Sequence, residues 1–521
     1  MTPSRILATC LSGLLMALAF PHWDLWVAAW VGLIPFLWAL RDRAPREAAL
    51  LGMAGGTVHY VIVLYWLVGT MRLYGSLPLP LALGFLVLLV LYMASYWALF
   101  GALLVFIRRA LGVGLLWVAP ALWCGLEGLR SVLLSGFPWA LLGYSQWSVT
   151  PLVQVADITG VYGLSFLLVW ANAALLDLAE AWREGASGRR WRALVGAGMA
   201  GILALGALLY GGWRIPGVIA ASESAPRVPV GIAQGNIEQS LKWNPEKQEA
   251  TFRIYAEQTR ELARRGARLV VWPETAIPFF FQAEQGWRER LLELARETRV
   301  EVLFGAPAFA QEGPRQTFLN RAYLIGPGKG VLGWYDKVHL VPFGEYVPLQ
   351  RLLPFIRTLV ASIGDFSSGD GFHVLPSAAG APVGVMICFE SIFPEISRSF
   401  ALNGAQILAN ITNDAWFGMT AAPYQHLSML TLRAVESRRW IVRSANTGIS
   451  AVVDPLGRLV VQSPLFQPAI LIDEIPALQV KSWYMLHGDR FVQACSLWGA
   501  GLFILSLLSS TRGRRRRHGL A

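Results

Sequence analysis

The chain has 521 residues, of which 55% are hydrophobic and 15% charged, with a formal net charge of +11. This balance excludes a wholly soluble protein and assigns part of the chain to lipid. It also argues against nucleic-acid binding, because Arg and Lys gather in short clusters beside apolar runs instead of lying along one polar face.

A helix needs about twenty apolar residues to cross a bilayer. Seven spans are predicted near residues 5 to 21, 24 to 40, 48 to 70, 80 to 107, 112 to 134, 161 to 181 and 192 to 213, with an eighth near 492 to 510. Basic residues are retained on the cytoplasmic side, so Arg5 places the N-terminus inside. Strict alternation then puts Arg41 to Arg46, Arg108 with Arg109, Arg183 to Arg192 and the tail Arg512 to Arg517 inside as well. The long segment from about 220 to 485 falls on the outer face. Arg5 followed by Ala17-Leu18-Ala19 also resembles a secretory signal, but the next span is close and a retained helix is the expectation. His59, Glu127 and Arg130 are polar groups inside spans, and Glu127 and Arg130, three apart on one face, are expected to satisfy each other or to sit at an interface rather than to act on substrate. Trp23, Trp26, Trp139, Tyr144 and Trp147 suit an interfacial belt.

The composition changes near residue 222, where Ser222 to Pro229 reads as a polar linker. Beyond it, apolar strands alternate with amphipathic helices, the pattern of an α/β domain. Strands are predicted at 229 to 236, 269 to 272, 302 to 306, 320 to 326, 383 to 387, 407 to 411, 440 to 444 and 450 to 454, and helices near 246 to 265, 286 to 299, 394 to 402 and 424 to 438. Two segments, Ile277 to Phe281 and Leu349 to Ile363, are too apolar for an ordinary surface. They are expected to be interfacial lids dipping into lipid rather than core beneath a loop.

Three short motifs in this domain carry chemistry. Val271-Trp272-Pro273-Glu274 ends a strand with a carboxylate, Tyr335-Asp336-Lys337-Val338-His339 ends another with an amine, and Ile387-Cys388-Phe389-Glu390 supplies a thiol. A reactive thiol needs a base, a positive charge favouring the thiolate, and access to substrate. Cys10, Cys124 and Cys495 lie in apolar runs, which leaves Cys388 alone in the polar part of the chain. Taken singly, Cys388 fits a small core residue, Glu274 a helix cap, and Lys337 a solvated strand end. Together they fit one site at one end of a sheet. His339 and His426 come without paired metal-ligand spacing, so neither metal nor cofactor is expected.

The set WPE, DKxHLVPFGE and CFE, framed by membrane spans, resembles the bacterial apolipoprotein N-acyltransferases, a membrane-anchored family of the nitrilase, or carbon–nitrogen hydrolase, superfamily. The resemblance implies an α/β fold in which about eight spans carry a four-layer α-β-β-α sandwich. It implies Glu274 as general base, Lys337 as oxyanion stabiliser and Cys388 as nucleophile. It further implies supporting roles for Glu345, Glu390, Trp243 and Phe389, the last standing where some relatives carry tyrosine. Asn413 to Gly418 resembles a loop that shapes the pocket. The domains implied are residues 1–215 with seven spans, 222–480 with the catalytic site on the periplasmic face of the inner membrane, and 490–521 with the last span and a basic tail. The implied partners are a phospholipid acyl donor, a diacylglyceryl apolipoprotein acceptor and the bilayer, with the enzyme a monomer and a Cys thioester as intermediate. A membrane-tethered amidase or nitrilase and a non-catalytic lipid-binding or lipoprotein-binding scaffold are the alternatives.

Overall fold

The computed structural model describes residues 2–184, 187–312, 315–346 and 366–518. It divides into two units, one of residues 1–68, 78–214 and 487–521, the other of residues 69–77 and 215–486.

The first unit is helical. Among the described residues, five helices are long and apolar enough to cross a membrane: Pro45–Leu64, Leu79–Leu111, Val161–Glu184, Arg190–Ser224 and Arg490–Thr511. The expected first and second spans are shorter helices, Pro3–Leu18 and Trp26–Ala39. The expected fifth is the 18-residue helix Leu115–Val132, whose apolar character is diluted by Glu127 and Arg130. Small residues let these helices approach closely: a Cβ on Gly13 would stand 2.3 Å from the Gly55 carbonyl oxygen, and one on Gly52 the same distance from that of Trp97. Glu127 accepts from the Trp123 indole at 3.0 Å and the Leu142 N–H at 2.7 Å, while Arg130 donates to Tyr60 and to the Ala140 carbonyl. Both charges are therefore met by other groups of the bundle. Two residues assigned to the interfacial belt are instead core, Trp139 and Tyr144 being fully enclosed. Aromatic character alone does not distinguish a belt from a packing position.

The second unit is α/β. Its strands are β1 (Arg227–Gln234), β2 (Leu269–Val271), β3 (Glu301–Glu312), β4 (Arg315–Gly326), β5 (Gly330–Asp336), β6 (Val383–Ile387), β7 (Ile407–Thr412), β8 (Trp440–Ala445), β9 (Ala451–Val453), β10 (Leu459–Gln462) and β11 (Ala469–Pro476). They form two sheets, ordered β11-β1-β2-β3-β4-β5 and β10-β9-β8-β7-β6. In the first sheet the parallel strands β1 to β3 are flanked on both sides by antiparallel strands, and in the second the parallel strands β6 to β8 end at the edge β6, with antiparallel β9 and β10 on the other side. The expected linker at Ser222 to Pro229 is nearly absent, because the preceding helix runs to Ser224 and β1 begins at Arg227.

Side chains alternate across a strand. On the first sheet, Val270, Trp272, Val302 and Phe304 form one core with Phe252 and Tyr255 of helix Gln248–Arg264 and Leu291 and Leu294 of helix Gln285–Thr298. The intervening Leu269, Val271 and Leu303 are as deeply buried, on the opposite face. On the second sheet, helix Pro394–Leu402 lays Phe400 over Gly384 of β6. The sheets meet through Gln234 of β1, whose side-chain oxygen accepts from Ser450 and Ser463, and through Ser444 of β8, which donates to the Ala233 carbonyl. The layers thus run helix, sheet, sheet, helix.

The Ile277 to Phe281 segment is core rather than a lid. Ile277 and Phe281 are each 1% exposed and Phe279 6%, within the cluster beneath the first sheet. Phe281 packs against Phe304 and Tyr323, and Phe279 stacks on Trp287. The second expected lid, Leu349 to Ile363, lies outside the described residues.

Candidate active site

Parallel strands deliver functional groups at their C-terminal ends, and this unit uses both sheets that way. Glu274 follows β2 through Trp272-Pro273, Cys388 directly follows β6, and Asn413 directly follows β7. Lys337 directly follows β5. The backbone is tight around these groups. A Cβ on Gly305 of β3 would come within 2.8 Å of Glu274 Cα, so only glycine fits beside the carboxylate. Cys388 has φ +53° and Thr275 φ +47°, left-handed values that cost a non-glycine residue about 1–3 kcal/mol and that cluster at working sites.

The carboxylate of Glu274 is 6% exposed and held at three points. Oε1 accepts from Asn320 Nδ2 at 2.8 Å and lies 3.7 Å from Lys337 Nζ, while Oε2 accepts from the Asn413 N–H at 2.9 Å. Lys337 is 1% exposed and its ammonium sits on Glu345, 3.0 Å from Oε1 and 2.9 Å from Oε2. Burial opposes the charge on Lys337, but Glu345, Glu274 and Cys388 together outweigh it and hold the amine protonated, well above the usual lysine range. Cys388 is 9% exposed. Burial pushes its thiol up and Glu274 adds to this, whereas Lys337 and the Thr412 hydroxyl favour the thiolate. The resting group is a neutral thiol beside a carboxylate and a fixed ammonium, an arrangement able to form a thiolate when Glu274 takes its proton.

The supporting residues separate into two kinds. Glu345 stands in the site, bonded to Lys337, to Asn320 at 2.9 Å and to the Val341 N–H at 2.8 Å. Glu390 stands behind it, wholly buried, with Oε1 accepting from Tyr335, Val338 N–H and His339 N–H and Oε2 from Ile387 N–H. It ties the Lys337 loop to the Cys388 turn, and burial raises its carboxyl to about 7 despite those donors. Phe389 packs on Phe393, with ring centres 5.2 Å apart, and near His339. Trp243 is half exposed, at 53%.

Two further residues belong to the site and carry no sequence signal of their own. Asn320, in the middle of β4, links Glu274 to Glu345 through one amide nitrogen. Lys242 is 2% exposed, and its ammonium donates to the Glu274 carbonyl at 3.1 Å. Burial lowers it to about 8, against the pull of Glu274 and Cys388. The Asn413 loop contributes more than a wall, since its backbone N–H grips the carboxylate and its side chain bonds Gln239 and Asn446.

Comparison with known proteins accounts for both units. Residues 12–174 match the apolipoprotein N-acyltransferase N-terminal domain, and residues 229–485 match the carbon-nitrogen hydrolase family. The apolipoprotein N-acyltransferase of Geobacter metallireducens is 43% identical over 97% of this chain and 95% of its own. That of Azotobacter vinelandii is 36% identical over 93% of this chain and 91% of its own. Among solved structures, an amidase of the nitrilase superfamily from Nesterenkonia AN1 is 22% identical, with a TM-score of 0.39 over 53% of this chain and 99% of its own. Matched in order through both units and along nearly the full length of its relatives, the chain belongs to the apolipoprotein N-acyltransferase family.

Proposed function

We propose that this protein transfers an acyl chain from a membrane phospholipid to the N-terminal amino group of a diacylglyceryl-cysteine apolipoprotein, through a thioester on Cys388. The observation that carries the reading is the buried cluster of Glu274, Lys337 and Glu345 electrostatically coupled to Cys388, in a chain of this family. Glu274 takes the thiol proton as sulfur attacks the ester carbonyl. The resulting oxyanion is stabilised by the Lys337 ammonium and backbone N–H groups. The C–O bond breaks, and the departing lysophospholipid oxygen receives the proton from Glu274. In the second half, the acceptor amine attacks the thioester, Glu274 accepts its proton, the C–S bond breaks, and the proton returns to Cys388. Glu345 fixes Lys337, while Trp243 and Phe389 border the acyl and acceptor path.

The topology proposed is eight spans in the bacterial inner membrane, seven within residues 1–215 and one within 490–521, with residues 222–480 on the periplasmic side. The basic clusters support it by the retention of positive charge inside. Donor and acceptor are both lipid-anchored, so confinement to one membrane raises their effective concentration at the site. The protein is taken to act as a monomer. A membrane-tethered amidase or nitrilase has the same triad, and the enclosed position of Ile277 to Phe281 removes one argument against it. The family match through the membrane unit favours the transferase over that reading and over a scaffold.

Incubating the purified protein with phospholipid and no acceptor, then weighing the Cys388 peptide, tests the mechanism. A hydroxylamine-sensitive acyl adduct is expected, and it is absent in Cys388→Ala. Lipoprotein acylation that proceeds without such an adduct overturns the covalent route.

A further inference from the structure

Behind Cys388 lies a buried polar cluster that the triad does not use. His426, on helix Ala422–Ser437, is 1% exposed, and Asp414, Arg443 and Ser391 are no more so. The His426 Nε2 is 3.2 Å from the backbone carbonyl oxygen of Cys388 and 2.8 Å from Ser391 Oγ, which itself donates to the same carbonyl at 3.0 Å. Its Nδ1 is 3.1 Å from Arg443 Nη2 and 3.2 Å from Asp414 Oδ1. Arg443 also bonds the other Asp414 oxygen and Asn410.

The Cys388 carbonyl oxygen only accepts, so its contact with His426 is a hydrogen bond when the ring carries its proton on Nε2. In the neutral form so protonated, Nδ1 accepts from Arg443, because a guanidinium only donates. The charged ring carries a proton on Nε2 too and donates from Nδ1 to Asp414, a form that burial and then Arg443 disfavour and Asp414 favours. In both states Nε2–H faces the Cys388 carbonyl. That carbonyl belongs to a residue at φ +53°, a conformation that needs external support.

We propose that His426 is a positioning residue for acyl transfer: held by Arg443 and Asp414, it clamps the Cys388 carbonyl from behind together with Ser391. The peptide joining Cys388 to Phe389 is planar and trans, so fixing its carbonyl fixes the opposite direction of the Phe389 N–H. The clamp thereby sets the direction of an N–H donor for the oxyanion. This deepens the reading of Cys388 as nucleophile and rests on it.

The test compares His426→Gln, whose amide nitrogen reaches the Nε2 position, with His426→Asn, whose amide reaches only Nδ1, and His426→Leu. Single-turnover adduct formation is read with a fluorescent phosphatidylethanolamine in detergent micelles, beside alkylation of Cys388 by iodoacetamide, which needs no oxyanion donor. Misplacing one such donor slows acylation by about tenfold to a hundredfold. Asn and Leu are expected to show that loss with little change in half-saturating donor, Gln to recover to within about threefold, and alkylation to vary by less than threefold in all three. Gln no faster than Asn, Asn as fast as wild type, or alkylation falling in step with acylation overturns the clamp. If Leu does not fold, the Gln and Asn pair, matched in polarity, still decides. Adduct forming in Cys388→Ala would instead remove the underlying nucleophile assignment.

Discussion

Replacing Asn320 with leucine deletes the amide that donates to Glu274 Oε1 at 2.8 Å and to Glu345 Oε1 at 2.9 Å, while keeping the same branching and the same heavy-atom count in the side chain. A hydrogen bond to a charged group contributes about 1.5–3 kcal/mol. Glu345 absorbs its loss, since it keeps Lys337 and the Val341 N–H. Glu274 does not: its Oε1 retains only Lys337 at 3.7 Å, beyond hydrogen-bond range. The carboxylate that receives the thiol proton is then anchored at Oε2 alone, by Asn413. If the energy of one such bond is lost from the oriented base, acylation slows roughly 10- to 150-fold at 1.36 kcal/mol per decade. The assay is the single-turnover rate of adduct formation on Cys388 from a fluorescent phosphatidylethanolamine, with a melting curve in detergent to confirm folding. Asn320→Asp, which crowds a third carboxylate around Lys337, should be at least as slow. A folded Asn320→Leu protein acylated within threefold of the wild-type rate would refute the orienting role.

Phe281→Ala empties a 1% exposed position between Phe304 and Tyr323 and should cost about 3–5 kcal/mol in chemical denaturation; a loss of under 1 kcal/mol would mean the segment is not core. Glu390 titrates at about 7 in the folded protein against an ordinary 4.5, so the stability it contributes is full below pH 4.5 and is lost as pH rises through 7. The gap is worth about 3 kcal/mol. Melting temperatures of wild type and Glu390→Gln should therefore converge or cross between those pH values, and a constant difference across the range contradicts the assignment. Lys242 loses its proton near pH 8, withdrawing positive charge from beside Glu274 and Cys388. Acylation should fall above that pH, with the break missing in Lys242→Met; identical profiles would remove Lys242 from the site.

The strand-end placement of Glu274, Lys337 and Cys388 was legible because each follows an apolar run that could only be a buried strand, and strand ends are where such folds present chemistry. Asn320 was not. It lies mid-strand opposite Pro307, and its partners arrive from 46 and 25 residues away. Lys242 looks like a solvated lysine until tertiary packing closes over it. Ile277 to Phe281 failed for a different reason: a run of phenylalanines has the same composition in a core as at a membrane surface, and only the neighbours Trp287, Phe304 and Tyr323 decide. Strands β10 and β11 were not foreseen, although Leu459 to Val461 and Ala469 to Ile472 are apolar runs; both are only partly buried, and composition does not say which short apolar runs pair into a sheet. The helix Leu115–Val132 was foreseen as a run, but not the Trp123, Tyr60 and backbone partners that satisfy Glu127 and Arg130.

The pairing of β1 with β11 joins Arg227 to Pro476, segments made about 250 residues apart. During synthesis β1 can find β2 within some forty residues, but its other edge stays open until the last strand leaves the ribosome. At about 5–20 residues per second, that interval is roughly 12–50 s. An unpaired strand edge is a template for aggregation throughout it. The nascent chain therefore has a window of vulnerability set by the order of its strands, and any product truncated before Ala469 never leaves that window.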